Sequence, residues 1–185
     1  EHPRICVFAA NHGVAAKGVS AYPADVTAQM VQNFISGGAA VNQLAHLFDA
    51  DLRVYEMALD QPTADFTEEP AMEDGDCARA MAYGMMGVEP GIDLLCLGEM
   101  GIGNSTSAAA ICHALYDGSA ADWTGSGTGV IGDAFSAKVK VVADGVALHK
   151  ARTEDPLELF AAVGGLELAA IAGAVLAARM ARVPV

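Results

Sequence analysis

Residues 93–111, DLLCLGEMGIGNSTSAAAI, are predicted to form a buried strand, a glycine-rich turn and a helix in direct succession. The apolar run 94–97 is typical of a fully buried strand. Three glycines follow within six residues, and they allow the backbone to turn sharply and to approach a ligand closely. Residues 104–106 are expected to cap the next helix, whose free N–H groups attract an anion. This order of elements favours a fold in which strands run directly into helices.

A carboxylate is unexpected inside such a turn. Glu99 is predicted to lie between the glycines, where a plain phosphate cradle has no need of a negative charge. A site that handles positive charge or a proton would explain it. We therefore consider Glu99 a candidate catalytic residue.

Two well-known nucleotide motifs match this stretch only in part. Residues 98–105 have the spacing of a Walker A loop, but Asn104 stands where that motif needs lysine. Gly101 and Gly103 begin a dinucleotide fingerprint whose third glycine is replaced by Thr106. What remains is a turn suited to one phosphate or a carboxylate, or a tight strand–helix turn that binds nothing.

The rest of the chain is expected to alternate between strands and helices in the same way. Such alternation implies βαβ crossovers, a mostly parallel sheet and a ligand site beyond the carboxyl ends of the strands. We expect residues 1–185 to form a single α/β domain. The predicted strands are 5–10, 51–59 and the run from 94, and the predicted helices are 25–48 with a break at the glycine pair 37–38, 77–87, 104–117, the stretch after 133, 155–165 and 165–182, the last of them buried nearly all round.

Charge and composition limit the partners of the protein. The net charge is −13 with only 10 Lys and Arg residues, which argues against non-specific binding to nucleic acid or to an anionic membrane surface. No signal peptide is expected, and the longest charge-free apolar run, 168–178, is too short to span a bilayer. The four cysteines contain no CxxC pair, which predicts reduced, buried thiols in the cytoplasm.

Two side chains outside the turn are candidates for ligand contacts. His12, in the loop 11–23 after the first strand, is a candidate for contact with substrate. Lys138 follows a second glycine-rich loop, 123–133, and is either an ordinary surface lysine or a cation for a phosphate. The histidines have no metal-ligand spacing, so no metal site is expected.

Seven motifs occur along the chain in a fixed order: HGV (12–14), GVSAYP (18–23), VTAQMV (26–31), ADFTEEPAM (64–72), GEMGIGNSTSAAA (98–110), GSGTG (125–129) and GGLELAAIAGAVLAA (164–178). In this order the chain resembles the nicotinate-nucleotide–dimethylbenzimidazole phosphoribosyltransferase family. The combination of GEMGIGN with GVSAYP is highly specific for that family, and the resemblance runs through nearly the whole chain.

The resemblance implies a Rossmann-like, three-layer α/β/α fold with a mostly parallel sheet, a small helical subdomain and a homodimer. It implies transfer of 5-phosphoribose from nicotinate mononucleotide to 5,6-dimethylbenzimidazole, in the biosynthesis of the lower ligand of cobalamin. The products would be α-ribazole 5′-phosphate and nicotinate, and no cofactor would take part.

The resemblance also implies roles for individual residues. Glu99 would stand beside the reacting ribose, and Ser20 and Gln29 would line the benzimidazole pocket. The ribose phosphate and the leaving nicotinate would be surrounded by Gly101, Gly103, Asn104, Gly127 and Lys138.

These implied roles suit the chemistry. Breaking the bond between ribose and a pyridinium ring develops oxocarbenium character, which a nearby carboxylate stabilises. The attacking benzimidazole must lose a proton to a general base. Nicotinate leaves without an acid or a metal, because bond cleavage neutralises its own ring nitrogen.

The chain departs from the family pattern in several places. Asn11 replaces the aspartate usual before His-Gly, and Ser126 replaces the arginine usual in GRGTG. Family members are considerably longer, and the glutamate considered their general base lies in a C-terminal region without a counterpart here. We therefore expect residues 1–185 to be the core of a longer fold and to show little transferase activity alone. Robust product formation by this chain would instead make Glu99 the base.

Two other functions are kept open. The chain could be a non-catalytic module that holds a benzimidazole or a nucleotide without turnover. A weaker alternative is a different phosphoribosyltransferase or a dinucleotide-binding oxidoreductase, and the missing third glycine counts against the latter.

Overall fold

Strands and helices alternate along the chain in the computed structural model, which describes residues 2–152 and 154–185. Within these residues the strands are β1 (Pro3–Ala9), β2 (Asp51–Glu56) and β3 (Leu94–Met100). The α-helices are α1 (Val26–Ile35), α2 (Ala40–Leu47), α3 (Asp74–Met85), α4 (Asn104–Leu115), α5 (Ala120–Trp123), α6 (Gly132–Leu148), α7 (Pro156–Val163) and α8 (Leu166–Ala181). Short 3-10 helices cover Gly13–Lys17 and Lys150–Arg152.

The strands form a parallel sheet with β1 in the centre, β2 on one side and β3 on the other. The connection from β1 to β2 leads to one side of the central strand, and the connection from β2 to β3 returns past β1 to the other side. Because such crossovers are right-handed, the connecting helices lie on opposite faces. Accordingly, α1 and α2 contact the sheet on one face, and α3 and α8 pack on the other. The predicted Rossmann-like α/β/α fold is confirmed.

The core lies between the sheet and the layer of α3 and α8. Phe8 of β1 stacks on Tyr55 of β2 with ring centroids 4.9 Å apart, and Tyr83 of α3 meets Tyr55 edge-on at 5.8 Å. Phe8 and Leu95 are fully buried. Aromatic pairs of this kind add to the stabilisation that burial alone provides.

Helices α3 and α8 approach each other until their backbones touch. A Cβ atom at Gly84 of α3 would overlap the main chain of Ala170, and one at Gly173 of α8 would overlap that of Met81. Glycine is therefore required at both positions of this contact. The contact fixes α8, whose first turn reaches the functional site.

Strand β3 is longer than the sequence predicts. The sequence predicts that the turn begins at Gly98, but the strand continues to Met100, because β1 pairs with it up to Ala9–Met100. The expectation that Glu99 lies in the turn is therefore wrong: it is a strand residue opposite Phe8. Strand β2 ends at Glu56 rather than at 59, because its last partner, Ala9, is the last residue of β1.

Two helices also differ from expectation. Helix α3 begins at Asp74 rather than at 77. The carboxylates of Asp74 and Asp76 lie in its first turn, where they interact favourably with the positive end of the helix dipole. Helix α8 is not buried nearly all round, because Leu176 is 53% and Met180 79% exposed. The remaining predicted helices agree with the structure within a few residues at their ends.

The cysteines are free thiols in unequal environments. Cys6 and Cys77 are buried as expected, whereas Cys112 is half-buried and Cys96 is exposed. The prediction of buried thiols is thus wrong for Cys96, which lines an apolar groove on the sheet face opposite α3. Over the described ranges, no helix has the length and apolar character needed to cross a membrane.

Candidate functional site

The loop after β1, together with the first turn of α1, lies against both other loops at the carboxyl ends of the strands. His12 forms an isolated parallel bridge with Thr63, which holds the loops 11–23 and 60–76 side by side. Thr27, in the first turn of α1, accepts a hydrogen bond from the Ile102 N–H at 3.1 Å. The tertiary structure thereby joins segments that are far apart in the sequence.

The second glycine-rich loop touches the same segment. The hydroxyl of Thr128 lies 2.8 Å from that of Ser20 and accepts the Ala21 N–H at 2.9 Å. Gln29 lies on the exposed side of α1, where its side-chain amide donates to Asp25 at 3.2 Å. Ser20 therefore lies at a contact between two loops, while the Gln29 side chain bonds to Asp25, the N-cap residue of α1.

Glu99 and Asn104 bind each other across the glycine-rich turn. The Asn104 side-chain amide donates to Oε2 of Glu99. The prediction that residues 104–106 cap α4 is wrong: Gly103 is the N-cap residue, with φ +96°, and no side chain caps the helix. The pKa of the Glu99 carboxyl is raised above its ordinary value, and desolvation by the surrounding protein is the largest cause. The hydrogen bond from Asn104 acts in the opposite direction. The charge of Glu167 raises the pKa further, and that of His12 lowers it.

Lys138 is a fully buried cation on α6. Its Nζ donates to the Ser105 hydroxyl at 2.8 Å, and among the described residues no carboxylate pairs with it. Burial lowers the pKa of the ammonium group. A Cβ at Gly127, where φ is +54°, would come within 2.7 Å of both Nζ and the serine oxygen. This corner of the site is therefore cationic and suited to an anion.

The first turn of α4 offers an anion fewer free amides than the sequence predicts. The Asn104 N–H donates to the Gly101 carbonyl at 3.1 Å, and the Thr106 N–H donates to the Gly103 carbonyl at 3.0 Å. The helix dipole still favours negative charge there. Because the amides of Asn104 and Thr106 are already bonded, Lys138 is the stronger source of attraction for an anion here.

Two buried residues of this region, Ser107 and Glu167, were not predicted from the sequence. His12, which is 2% exposed, places Nε2 2.6 Å from Oε1 of Glu167 and Nδ1 3.2 Å from the Ser107 hydroxyl. Glu167 is the one charged residue of the apolar stretch 164–178, and a lone charge on a buried helix requires a partner. That pattern could have indicated the pair.

Among the described residues, the other histidines and the acidic groups form no metal site. His149 is buried and its Nε2 lies 2.8 Å from the carbonyl oxygen of Phe66. In the part of the chain that the structure describes, no three His, Cys, Asp or Glu side chains gather where they could hold a metal ion.

The fold and the site together define a class of protein. A carboxylate and a buried cation are both attached to the first turn of one helix, through Asn104 and Ser105, at the carboxyl end of a parallel sheet. This is the arrangement of a Rossmann-like α/β protein with a candidate anion site at the carboxyl end of its sheet.

Comparison with known proteins names the family. The sequence model of a family described as "Phosphoribosyltransferase" matches residues 1–185. A protein of Methylocella silvestris, named nicotinate-nucleotide–dimethylbenzimidazole phosphoribosyltransferase, is 57% identical over 185 residues, which are all of this chain and 54% of that protein. A protein of Brucella anthropi with the same name is 54% identical over 183 residues, 99% of this chain and 54% of its own length.

A solved structure agrees with the sequence matches. The crystal structure of CobT from Thermus thermophilus superposes with a TM-score of 0.90 at 38% identity, covering 99% of this chain and 60% of that one. The chain therefore belongs to the nicotinate-nucleotide–dimethylbenzimidazole phosphoribosyltransferase family. It spans about half the length of the curated relatives it matches.

Proposed function

We propose that the protein containing this chain transfers 5-phosphoribose from nicotinate mononucleotide to 5,6-dimethylbenzimidazole, in the formation of the lower ligand of cobalamin. Family membership supports the reaction. The observation that carries the proposal is the buried ammonium of Lys138, which lacks a carboxylate partner among the described residues and binds the helix turn that also holds Glu99.

The ribose phosphate is assigned to the corner formed by Lys138, Ser105 and Gly127. A phosphate oxygen there would accept a charge-assisted hydrogen bond from Nζ, which burial makes stronger than in water. Glycine is needed at 127, because a Cβ there would clash with both Nζ and the Ser105 oxygen. Gly101 and Gly103 allow the turn to approach the rest of the nucleotide closely.

Glu99 is assigned to the anomeric carbon of the ribose. The bond from C1′ to the pyridinium nitrogen breaks, and its electron pair neutralises nicotinate. A benzimidazole nitrogen donates its lone pair to form the new bond to C1′, and the proton on the other ring nitrogen passes to a water molecule. The Glu99 carboxylate, oriented by Asn104, stabilises the positive charge that C1′ develops between these events.

Ser20 and Gln29 are assigned to the benzimidazole. Ser20 lies at the contact with Thr128, and Gln29 must exchange its bond to Asp25 for one to the ligand. His12 is buried with both ring nitrogens engaged, so we assign it to the site through its neighbours rather than through direct contact with substrate.

We also propose that the protein works in the cytoplasm as a homodimer. Free cysteines are consistent with a reducing compartment. Sedimentation velocity of the purified protein should give twice the mass of one chain, and a single-chain mass would contradict the dimer.

Calorimetry with nicotinate mononucleotide tests the assignment of the phosphate. Lys138→Met should weaken binding to the 185-residue chain at least tenfold, in line with the loss of a charge-assisted hydrogen bond, about 1.5–3 kcal/mol. Lys140→Met is the matched control, because Lys140 lies on the same helix, is exposed and pairs with Asp144. Equal affinities in both variants would refute the assignment.

Transfer itself is tested with the protein expressed from the complete parent gene. It should form α-ribazole 5′-phosphate from the two substrates, detected by chromatography. Binding of both substrates without any product would favour the non-catalytic module instead.

A further inference from the structure

His12, Ser107 and Glu167 form a buried row that the proposed reaction does not use directly. They come from three elements: the loop after β1, helix α4 and helix α8. Both side chains of the His12–Glu167 pair are fully inaccessible, and the joining distance is 2.6 Å. Because a carboxylate only accepts, Nε2 carries the proton, and Nδ1 faces a serine hydroxyl that can donate or accept.

Burying these polar side chains in the core costs the protein free energy of folding. Oε2 of Glu167 is buried and has no hydrogen-bond partner among the described residues. A buried pair of ionisable side chains is weak support for stability, because well-packed apolar residues do as well or better. The position of Glu167 in the first turn of α8 offsets only part of the desolvation. Such a group in a core favours a role other than stability.

The imidazole of His12 fills the space between the glycine-rich turn and the start of α8. A Cβ at Gly101 would lie 3.3 Å from ring atoms Cδ2 and Nε2, and one at Gly103 would lie 3.4 Å from Cβ of His12. On the opposite side, a Cβ at Gly165 would lie 3.0 Å from Nε2 and 2.9 Å from Oε2 of Glu167. The ring is thus in close contact with the main chain on both sides.

We propose that His12 is a positioning residue of the site: Glu167 and Ser107 fix its ring, and the ring fixes the Gly101–Gly103 turn that joins Glu99 to Asn104. The link to phosphoribosyl transfer rests on the proposed function, while the control of the turn and of Glu99 does not.

Electrostatics agree with this geometry. The titratable groups that act on Glu99 are Glu167 on α8, which raises the pKa of its carboxyl, and His12, which lowers it. Their influence follows desolvation and the bond from Asn104 in size. Removal of the charge of Glu167 should therefore lower the pKa of Glu99.

The first test is a carbon NMR titration of the Glu99 carboxyl in the ligand-free chain. In Glu167→Gln the titration midpoint should move to lower pH. The matched control is Glu158→Gln, since Glu158 also lies in the first turn of a helix but is exposed. An unchanged midpoint in Glu167→Gln, or an equal change in the control, overturns the electrostatic part of the proposal.

The second test measures the turn directly and uses a variant that preserves helix α4. In Ser107→Ala the amide of Ile102, which bonds to Thr27, should exchange its hydrogen at least tenfold faster, while the amides of α6 keep their rates. Ser136→Ala, an exposed serine bonded to a helix carbonyl, is the control. Unchanged exchange at Ile102, or a uniform increase everywhere, overturns the positioning role.

Kinetics of the complete enzyme separate this proposal from the proposed function. Ser107→Ala and Glu167→Gln should lower kcat at least tenfold with KM within threefold, because ground-state binding survives while the carboxylate is misplaced. If the wild type makes no product but the NMR and exchange changes occur, the proposed function fails and the positioning role stands.

Discussion

Lys138 holds its ammonium group where solvent does not reach, with the Ser105 hydroxyl as the hydrogen-bond acceptor that the structure places beside it. Such a charge weakens the ligand-free fold, because water solvates ammonium better than one hydroxyl does. The residue is explained by what it binds rather than by the stability it contributes.

Lys138→Met should therefore stabilise the ligand-free chain by about 1 kcal/mol at neutral pH. Burial lowers the folded-state pKa of the lysine, so the folded state binds its proton less tightly than the unfolded state. The destabilisation of the wild type is therefore complete below the folded pKa and fades as the pH rises from there toward the ordinary value. Urea unfolding of both proteins between neutral and alkaline pH measures it, and a destabilised variant at neutral pH would contradict the account.

Glu99 should matter for the chemical step and not for substrate binding. Glu99→Gln keeps the bond to Asn104 but removes the charge, so kcat of the complete enzyme should fall about 100-fold or more, with binding of nicotinate mononucleotide changed less than threefold. Glu56→Gln, at the end of the neighbouring strand β2, is the control. A loss of affinity equal to the loss of kcat would assign Glu99 to binding instead.

The same residue predicts a pH dependence. The raised pKa of Glu99 means that the carboxylate takes up a proton at a higher pH than an ordinary glutamate, whose pKa is about 4.3. The rate of the chemical step should fall as the pH drops through this raised value, and the fall should be absent in Glu99→Gln. Single-turnover measurements across the acid range test this.

At the level of the helices, the contact between α3 and α8 fixes the position of α8, whose first turn carries Glu167. The two glycines that face each other's backbones, Gly84 and Gly173, leave no room for even one methyl group. Since α8 carries Glu167 at its start, a shift of this helix changes the site as well as the core.

We predict that Gly84→Ala destabilises the chain by about 1–3 kcal/mol, the usual cost of overpacking. The control lies on the same helix: at Gly75 a Cβ would meet only the end of the flexible Arg79 side chain. Gly75→Ala should be neutral or slightly stabilising, because alanine favours the helix. Thermal or urea unfolding distinguishes the two, and similar effects at both sites would refute the packing explanation.

At the scale of the whole molecule, the two faces of the sheet are covered unequally. The face toward α3 and α8 is sealed, whereas the opposite face leaves a groove of about 860 Å³ lined by apolar side chains such as Ile5, Leu44 and Phe48. Cys96 projects into this groove, and Cys6 lies on the sealed face.

Thiol labelling checks this difference in the 185-residue chain. Under native conditions a maleimide should modify Cys96 rapidly and leave Cys6 and Cys77 unmodified, because burial both excludes the reagent and raises the pKa of these two thiols. All four cysteines should react in denaturant, which serves as the control. Rapid native labelling of Cys6 would contradict the fold.

Local patterns predicted much of this architecture. The apolar runs placed each strand, and the break at the glycine pair 37–38 separates α1 from α2 as expected. Motif matching predicted the family and the candidate side chains. The ends of β2 and β3 were predicted less well, because a strand ends where its neighbour ends, and the neighbour is not visible in the local sequence.

The α/β class, the family and the presence of Glu99, Asn104 and Lys138 near a glycine-rich turn could all be predicted from the amino-acid sequence. Three features became visible only in the folded chain: Glu99 lies on a strand, Asn104 binds it instead of capping α4, and Glu167 lies against His12. The physical reason is range: strand and helix periodicity arises from neighbours along the chain, whereas 155 residues separate His12 from Glu167. The glycine-rich turn thus packs against a buried pair that only the folded chain brings together.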